Sequence, residues 1–185
     1  MDDSPAPSDG APEGSLAVRH AGLTTLLVVA AALVVAADQA SKYLVVRDLT
    51  ENVPVPVISG WLQLHLIRNS GAAFSMATGM TWVLTLIAIT VTVVIVRISR
   101  TLGSRWWALA LGLLLGGALG NLTDRLLRAP GFGRGHVVDF IEYLKFPFMA
   151  FPIFNVADSC IVIAAALIAL LGLRGIAIDG TRVGS

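Results

Sequence analysis

Four long apolar segments dominate this sequence and restrict what the chain can fold into. They run from about 23 to 46, 82 to 96, 106 to 122 and 156 to 173. A helix that crosses the hydrocarbon core of a bilayer needs about 20 mostly apolar residues, and residues 76–81 can lengthen the second segment. Because lipid offers no partner to backbone polar groups, each segment must be helical. The sequence therefore predicts four transmembrane helices.

The composition supports a membrane protein and excludes a nucleic-acid partner. Charged residues make up 14% of the chain, against about 25% in soluble domains. The formal net charge of +1 gives no broad basic field for nucleic acid. We expect a disordered cytoplasmic extension at 1–20, which begins rich in Pro, Gly, Ser and Asp. A single membrane domain at 21–176 and a cytoplasmic tail at 177–185 should follow.

The arginines outside the apolar segments predict the orientation of the chain. Basic residues in short loops remain on the cytoplasmic side of a membrane. Three arginines lie between the second and third segments, two follow the fourth and one precedes the first: Arg97, Arg100, Arg105, Arg174, Arg182 and Arg19. Both termini and the middle loop should be cytoplasmic, and the connections 47–80 and 123–155 should face outward.

The outer connections contain patterns typical of extended structure. Residues 61–68 alternate between apolar and polar side chains, which favours a strand, and Pro54 and Pro56 favour an edge position. The run VVDFIEYL fits either a short amphipathic helix or a strand at the interface. The predicted fold is an all-α membrane protein, with four transmembrane helices, a small extracytoplasmic β-sheet and an interfacial loop or helix.

Polar side chains gather at the predicted outer ends of the spans. They are Asp38 and Lys42 in the first span, Asn121, Asp124 and Arg125 after the third, Asp139 in the following connection, and Asn155, Asp158 and Ser159 at the start of the fourth. Ionisable residues within spans are costly and usually functional. Since random placement would use both membrane faces, the convergence on one face predicts a site there.

Each part of this cluster also has a structural interpretation. Asp38 and Lys42 are four residues apart and can form an ion pair on one helix face. Asn155 can cap the last helix, with Asp158 in its first turn. Asp124 and Arg125 could anchor the chain at the interface. The glycines of LGLLLGGALG permit close helix packing.

The residue types restrict the chemistry that such a site could perform. The sequence has no HExxH, no cysteine pair and no histidines at ligand spacing, so a zinc peptidase and a metal site are not expected. It also lacks Gly-x-Ser-x-Gly, which argues against a serine hydrolase. Two neighbouring aspartates can share a proton and act as acid and base. Asp124, Asp139 and Asp158 are the candidates. Asp124 has a cation, Arg125, next to it, and the other two have none, which favours Asp139 with Asp158 but does not decide which two aspartates form the pair.

Five segments resemble lipoprotein signal peptidase, the type II signal peptidase of bacteria. They are DQASKYLV, RNSGAAFS, GGALGNLTDRL, GHVVDFIEY and FNVADSCI, and they occur in the family's order. The resemblance implies four transmembrane helices with an outer sheet in the bacterial cell membrane. It also implies an aspartic endopeptidase that removes signal peptides from prolipoproteins, cutting before a cysteine that carries a diacylglyceryl group.

The resemblance also implies roles for individual residues. Asp139 and Asp158 match the catalytic aspartates. The positions that line or support the site are Asn69, Gly71, Asn121, Arg125 and Asn155, with Asp38 and Lys42 as the polar pair of the first span and Asp124 as a supporting residue. No metal or organic cofactor is expected. The expected partners are diacylglyceryl-modified prolipoproteins and membrane lipid, and the enzyme should be a monomer.

Two other classes of protein compete with a peptidase. A small transporter or proton-coupled channel also uses intramembrane carboxylates, but it more often places them near the midplane between symmetric halves. A non-enzymatic membrane assembly factor needs no pair of approaching aspartates. The gathering of the polar residues at one face and the absence of an internal repeat disfavour the transporter.

Overall fold

A computed structural model describes residues 13–71, 81–145 and 152–182 of the chain. Within these residues it has four α-helices and three strands, in the order α1 (Glu13–Asp48), β1 (Val55–Ile58), β2 (Leu62–Asn69), α2 (Thr81–Ile98), α3 (Arg105–Leu127), β3 (Val137–Tyr143) and α4 (Val156–Leu173), with a 3-10 turn at Ser99–Thr101 after α2. All four helices are long and apolar enough to cross a membrane. The chain is therefore a multi-pass membrane protein, mainly helical, as predicted.

The helix ends correct several predicted boundaries. The helix α1 begins at Glu13, so the expected disorder is wrong for residues 13–20, and residues 1–12 lie outside the described part. Once a helix has nucleated, each further residue adds a hydrogen bond, and the sequence SLAVRH contains no residue that stops it. The helix α3 extends to Leu127, past the predicted end at residue 122. The fourth helix matches its prediction.

The helix α3 lies at the centre of the bundle, where its glycines permit close packing. A Cβ atom on Gly112 would lie 2.7 Å from the carbonyl oxygen of Leu27 in α1. One on Gly117 would lie 2.6 Å from the carbonyl oxygen of Ala157 in α4. These positions confirm the packing role predicted for the glycines, and they bring the polar ends of three helices together.

The three strands form one antiparallel sheet in the order β1-β2-β3. The run VVDFIEYL is thus a strand, which decides between the two predicted alternatives, and Pro56 lies on an edge strand as expected. Leu66 of β2 and Phe140 of β3 pack in one apolar cluster with Val45 of α1. The sheet is therefore fixed to the end of α1 that carries the polar residues.

The segment after α4 folds back on the opposite end of the bundle. The backbone N–H of Gly103 donates to the carbonyl of Ile178 at 2.9 Å, and Trp107 Nε1 donates to the carbonyl of Ile176 at 2.9 Å. The prediction of a separate tail from residue 177 is therefore wrong for residues 177–182, because this segment packs on the start of α3.

Candidate active site

Asp139 and Asp158 are brought to one end of the bundle by different elements. Asp139 lies on β3 and its residue is 2% exposed. Asp158 lies in the first turn of α4, where the side chain of Asn155 accepts a hydrogen bond from its backbone N–H at 2.9 Å. Asp158 completes the cap by accepting from the backbone N–H of Asn155 at 3.2 Å. The capping predicted from the sequence therefore also fixes the position of Asp158.

Two asparagine amides donate to the carboxylate of Asp139. Asn69 Nδ2 lies 2.8 Å from Oδ2, and Asn155 Nδ2 lies 2.6 Å from Oδ1. Burial raises the pKa of Asp139 to about 7, and the nearby Asp158 carboxylate acts in the same direction, while both amide donors oppose the shift. Asp139 therefore holds a proton at a pH where an exposed aspartate has lost it.

Asn121 and Asn155 connect the two aspartates. Asn121 Nδ2 donates to Asp158 Oδ1 at 2.8 Å. Asn155 Nδ2, besides its bond to Asp139, lies 3.1 Å from Asn121 Oδ1. A continuous chain of amides thus runs from one carboxylate to the other, and it leaves both facing the same space.

A tight turn after β2 orients Asn69. The backbone N–H of Gly71 donates to Asn69 Oδ1 at 2.8 Å, so the amide must present its nitrogen to Asp139. Gly71 has φ of +99°, and a Cβ atom there would lie 2.5 Å from Leu84 Cδ1. The turn therefore favours glycine for its backbone conformation, while Leu84 could move aside for a larger residue.

A buried ion cluster lies behind the aspartates. Lys42 Nζ lies 2.8 Å from Asp38 Oδ2 and 2.9 Å from Asp124 Oδ2, and all three side chains are fully buried. Arg128 Nε adds a contact of 2.7 Å to Asp124 Oδ1. Asp124 also accepts from the backbone N–H of Val138, next to Asp139, at 3.1 Å. The ion pair predicted for Asp38 and Lys42 is present, with Asp124 as a further partner.

In the described part of the chain, Arg125 forms no ion pair with its neighbour Asp124. Its Nη1 donates to the carbonyl of Asn121 at 3.3 Å, and its Nε is buried without a hydrogen-bond partner among the described residues. The guanidinium lies within electrostatic range of Asp158 and Asp139 as well as Asp124. The cations that pair with Asp124 are therefore Lys42 and Arg128, and not the adjacent Arg125 that the sequence argument considered.

A cavity of about 570 Å³ opens beside the two aspartates. Its walls are mainly apolar, with Asp139, Asp158, Asn69 and Ser159 as the polar residues and Tyr143, Pro152, Ile153, Phe154, Val162 and Ile163 as the apolar ones. Val162 and Ile163 are exposed on the face of α4. The cavity can hold an extended peptide bond against two carboxylates while apolar groups lie along the helix.

Sequence reasoning missed two members of this network. Gln39 Nε2 lies 3.0 Å from Asp38 Oδ2 and 3.3 Å from Asp124 Oδ1, so it bridges the carboxylates that Lys42 also joins. Arg128 lies one helical turn after Asp124, and this i,i+4 spacing was the signal that could have found it. Among the described residues no cluster of three or more His, Cys, Asp or Glu side chains could hold a metal ion.

The chain is similar to known proteins over most of its length. The family model described as "Signal peptidase (SPase) II" matches residues 30–174. The lipoprotein signal peptidase of Rhodococcus jostii (strain RHA1) is 55% identical over 86% of this chain and 78% of its own. That of Leifsonia xyli subsp. xyli (strain CTCB07) is 47% identical over 87% of this chain and 73% of its own. A solved bacterial membrane enzyme, determined by the in meso method at 1.9 Å, has a TM-score of 0.70 and 33% identity, and the match covers 80% of this chain and 92% of that one.

Proposed function

Because the chain belongs to the signal peptidase II family, whose members remove signal peptides from lipoproteins, we propose that it is an aspartic endopeptidase whose catalytic pair is Asp139 and Asp158. The observation that carries this proposal is geometric. The two carboxylates line one cavity and are joined through the amides of Asn121 and Asn155. No other pair of carboxylates among the described residues lines that cavity, since Asp38 and Asp124 are fully buried against Lys42.

The environments of the two aspartates favour different protonation states. Asp139 is deeply buried, with a pKa of about 7, and is the proton donor. Asp158 is less buried than Asp139 and lies in the first turn of α4, where the helix dipole favours negative charge. Each carboxylate accepts two N–H groups, so burial and the helix dipole distinguish the pair. Asp158 is therefore the base, following the rule that paired carboxylates divide acid and base roles by environment.

The hydrolysis follows from these roles. A water molecule between the carboxylates gives a proton to Asp158 while its oxygen bonds to the scissile carbonyl carbon. Asp139 gives its proton to the carbonyl oxygen, which forms a neutral tetrahedral intermediate. The C–N bond then breaks as the nitrogen takes the proton from Asp158, and the returning C=O gives its proton back to Asp139. Both aspartates end in their starting states. Arg125 is assigned a supporting role, because its guanidinium lies within electrostatic range of both aspartates.

The surroundings of the cavity fit a peptide that is held in a membrane. We assign the substrate as a prolipoprotein cleaved just before its diacylglyceryl-modified cysteine. Val162 and Ile163 line the cavity and continue along the exposed face of α4, where acyl chains can remain in lipid while the scissile bond reaches the aspartates. The polar end of the bundle is assigned to the outer membrane face, and the enzyme is assigned as a monomer with both termini in the cytoplasm.

Asparagine substitutions test the catalytic pair. We expect Asp139→Asn and Asp158→Asn each to lower cleavage of a lipidated precursor in proteoliposomes by at least about 10²–10⁴-fold, because each removes a proton-transfer group. Asp48→Asn is the matched control, because Asp48 is an exposed carboxylate that pairs with Arg47 near the same end of α1. Circular dichroism in detergent should show that all three variants remain folded. Full activity in either dyad variant would remove that residue from the mechanism.

A further inference from the structure

Lys42 is a buried cation whose third hydrogen bond has no role in balancing charge. Its ammonium is fully buried and has three N–H donors and no acceptor. Two donors reach the carboxylates of Asp38 and Asp124. The third reaches Asn121 Oδ1 at 3.0 Å, although a neutral amide adds nothing to the ion pairs. This contact connects the ion cluster to the catalytic aspartates.

An obligate donor determines how an amide must be oriented. Because an ammonium can only donate, Asn121 must turn its carbonyl oxygen toward Lys42. Its Nδ2 then points to Asp158 Oδ1, 2.8 Å away. Asn155 Nδ2, at 3.1 Å from the same carbonyl oxygen, supports this orientation.

The other two asparagines of the site are held in the same way. Asn69 Oδ1 accepts from the backbone N–H of Gly71, and Asn155 Oδ1 accepts from the backbone N–H of Asp158. Each amide is thus fixed at its oxygen by a group that can only donate and presents its nitrogen to a catalytic carboxylate. Asn121 differs because the fixing donor, Lys42, is a side chain and can be replaced.

We infer that Lys42 is a positioning residue that holds the Asn121 amide in the orientation that donates to Asp158. The inference rests on the proposed function, in which Asp158 is the base. Without the ammonium, Asn121 Oδ1 keeps only the 3.1 Å contact from Asn155 Nδ2, a nitrogen that also donates to Asp139 and to the carbonyl of Val138. The amide held by this single shared donor can turn and place its carbonyl oxygen against the carboxylate of Asp158. Two acceptors would then face each other, and the ionised base would lose a hydrogen bond.

The test must separate orientation from charge. The charged groups around the dyad are Asp38 and Lys42 from α1 and Asp124 and Arg125 from α3. Replacing Lys42 alone would remove a positive charge as well as a donor. The double substitution Lys42→Met with Asp38→Asn removes one charge of each sign, and the amide oxygen introduced at position 38 can still accept from the backbone N–H of Ala157.

The experiment compares the pH dependence of kcat/KM for cleavage of a lipidated precursor in proteoliposomes. The acid limb is the part of the profile in which kcat/KM rises with pH as Asp158 loses its proton. In the charge-balanced variant we expect this limb to move up by about one pH unit, because the ionised carboxylate has lost one hydrogen bond. We also expect kcat to fall about tenfold with little change in KM. Adding Asn121→Leu should cause little further change, because both substitutions remove the same donor. Arg128→Gln is the matched control. It loosens the Asp124 ion pair without touching Asn121, so it should lower the melting temperature and leave the acid limb in place.

An unmoved acid limb in the folded charge-balanced variant would overturn the inference, as would an additive effect of Asn121→Leu. If the methionine variant does not fold, Lys42→Gln with Asp38→Asn fills the site with a polar side chain that is no longer an obligate donor. Its acid limb should still move up, and an unchanged limb there would also overturn the inference. Activity in Asp139→Asn or Asp158→Asn would instead contradict the proposed function, so the two failures are distinguishable.

Discussion

Asp139 shows how a single residue can acquire chemistry from its surroundings. It occupies one position of an apolar strand, VVDFIEY, and the folded chain leaves it 2% exposed. An aspartate in such a place holds its proton up to near neutral pH, because burial disfavours the charged form. Asp124 is buried as completely, but Lys42 and Arg128 pair with it. The partners, more than the burial, distinguish these two carboxylates.

The pKa of Asp139 predicts how activity depends on pH. In the proposed mechanism the active form of the pair carries one proton, which Asp139 holds below its pKa of about 7. The raised pKa means that this proton is present at lower pH and is lost as the pH rises through about 7. We expect kcat/KM, which reports the free enzyme, to fall with a one-proton slope above about pH 7. Steady-state cleavage in proteoliposomes between pH 5 and 9 measures this limb, and a kcat/KM that keeps rising to pH 9 would contradict the assignment of Asp139 as the acid.

At the scale of elements, α3 holds the site together because small residues let two helices approach it closely. Gly112 and Gly116 face α1, and Gly117 faces α4. Gly120 lies one turn further on, where a Cβ atom would come within 2.7 Å of Asp38 Oδ2. The close approach is what allows Lys42 on α1 to reach Asn121 on α3.

This packing predicts that an added methyl group on α3 is destabilising. A Cβ atom on Gly116 would lie 2.6 Å from Val34 Cβ and 2.8 Å from the carbonyl oxygen of Ala31, and neither atom can move without moving α1. We expect Gly116→Ala to lower the free energy of unfolding by about 1–3 kcal/mol, the usual cost of overpacking. Thermal unfolding in detergent measures the change.

Gly22→Ala is the matched control for this substitution. Gly22 also lies within a helix, α1, and a Cβ atom there would meet nothing within 4 Å. Alanine is the better helix former by about 0.5–1 kcal/mol, so this variant should be unchanged or slightly more stable. Equal destabilisation of both variants would show that close contact between α1 and α3 is not the cause.

For the whole molecule, the main prediction concerns which membrane face carries the site. The sheet and the aspartates lie at one end of the bundle, and the connection between α2 and α3 lies at the other, beside the segment that follows α4. By the positive-inside rule, the arginines of that connection predict that it lies in the cytoplasm. The site should therefore face outward.

Thiol labelling tests this orientation. With Cys160→Ala as background, Val57→Cys places a thiol on the exposed strand β1, and Thr101→Cys places one at the exposed α2–α3 connection. In intact cells stripped of any outer envelope, a membrane-impermeant maleimide should label Val57→Cys, and Thr101→Cys only after lysis. The reverse pattern would invert the proposed topology.

The four helices, the small sheet and the set of polar residues that form the candidate site could all be predicted from the sequence. Apolar length and the needs of the backbone in lipid make a transmembrane helix a local property, so the fourth helix could be placed to the residue. The convergence of the polar residues also follows from local order, because helices that alternate in direction bring alternate ends together.

Which carboxylates share partners could be learned only from the folded chain. In the sequence, the cation next to Asp124 is Arg125, whereas in the folded chain the ammonium of Lys42 and the guanidinium of Arg128 occupy that carboxylate. The orientation of Asn121 likewise depends on a donor 79 positions away. Hydrogen-bond direction and burial arise from contacts between distant segments, which no local pattern of residue types contains. The helices can be predicted because their stability in lipid depends on local apolar length, whereas the protonation of Asp139 depends on burial that only the folded chain produces.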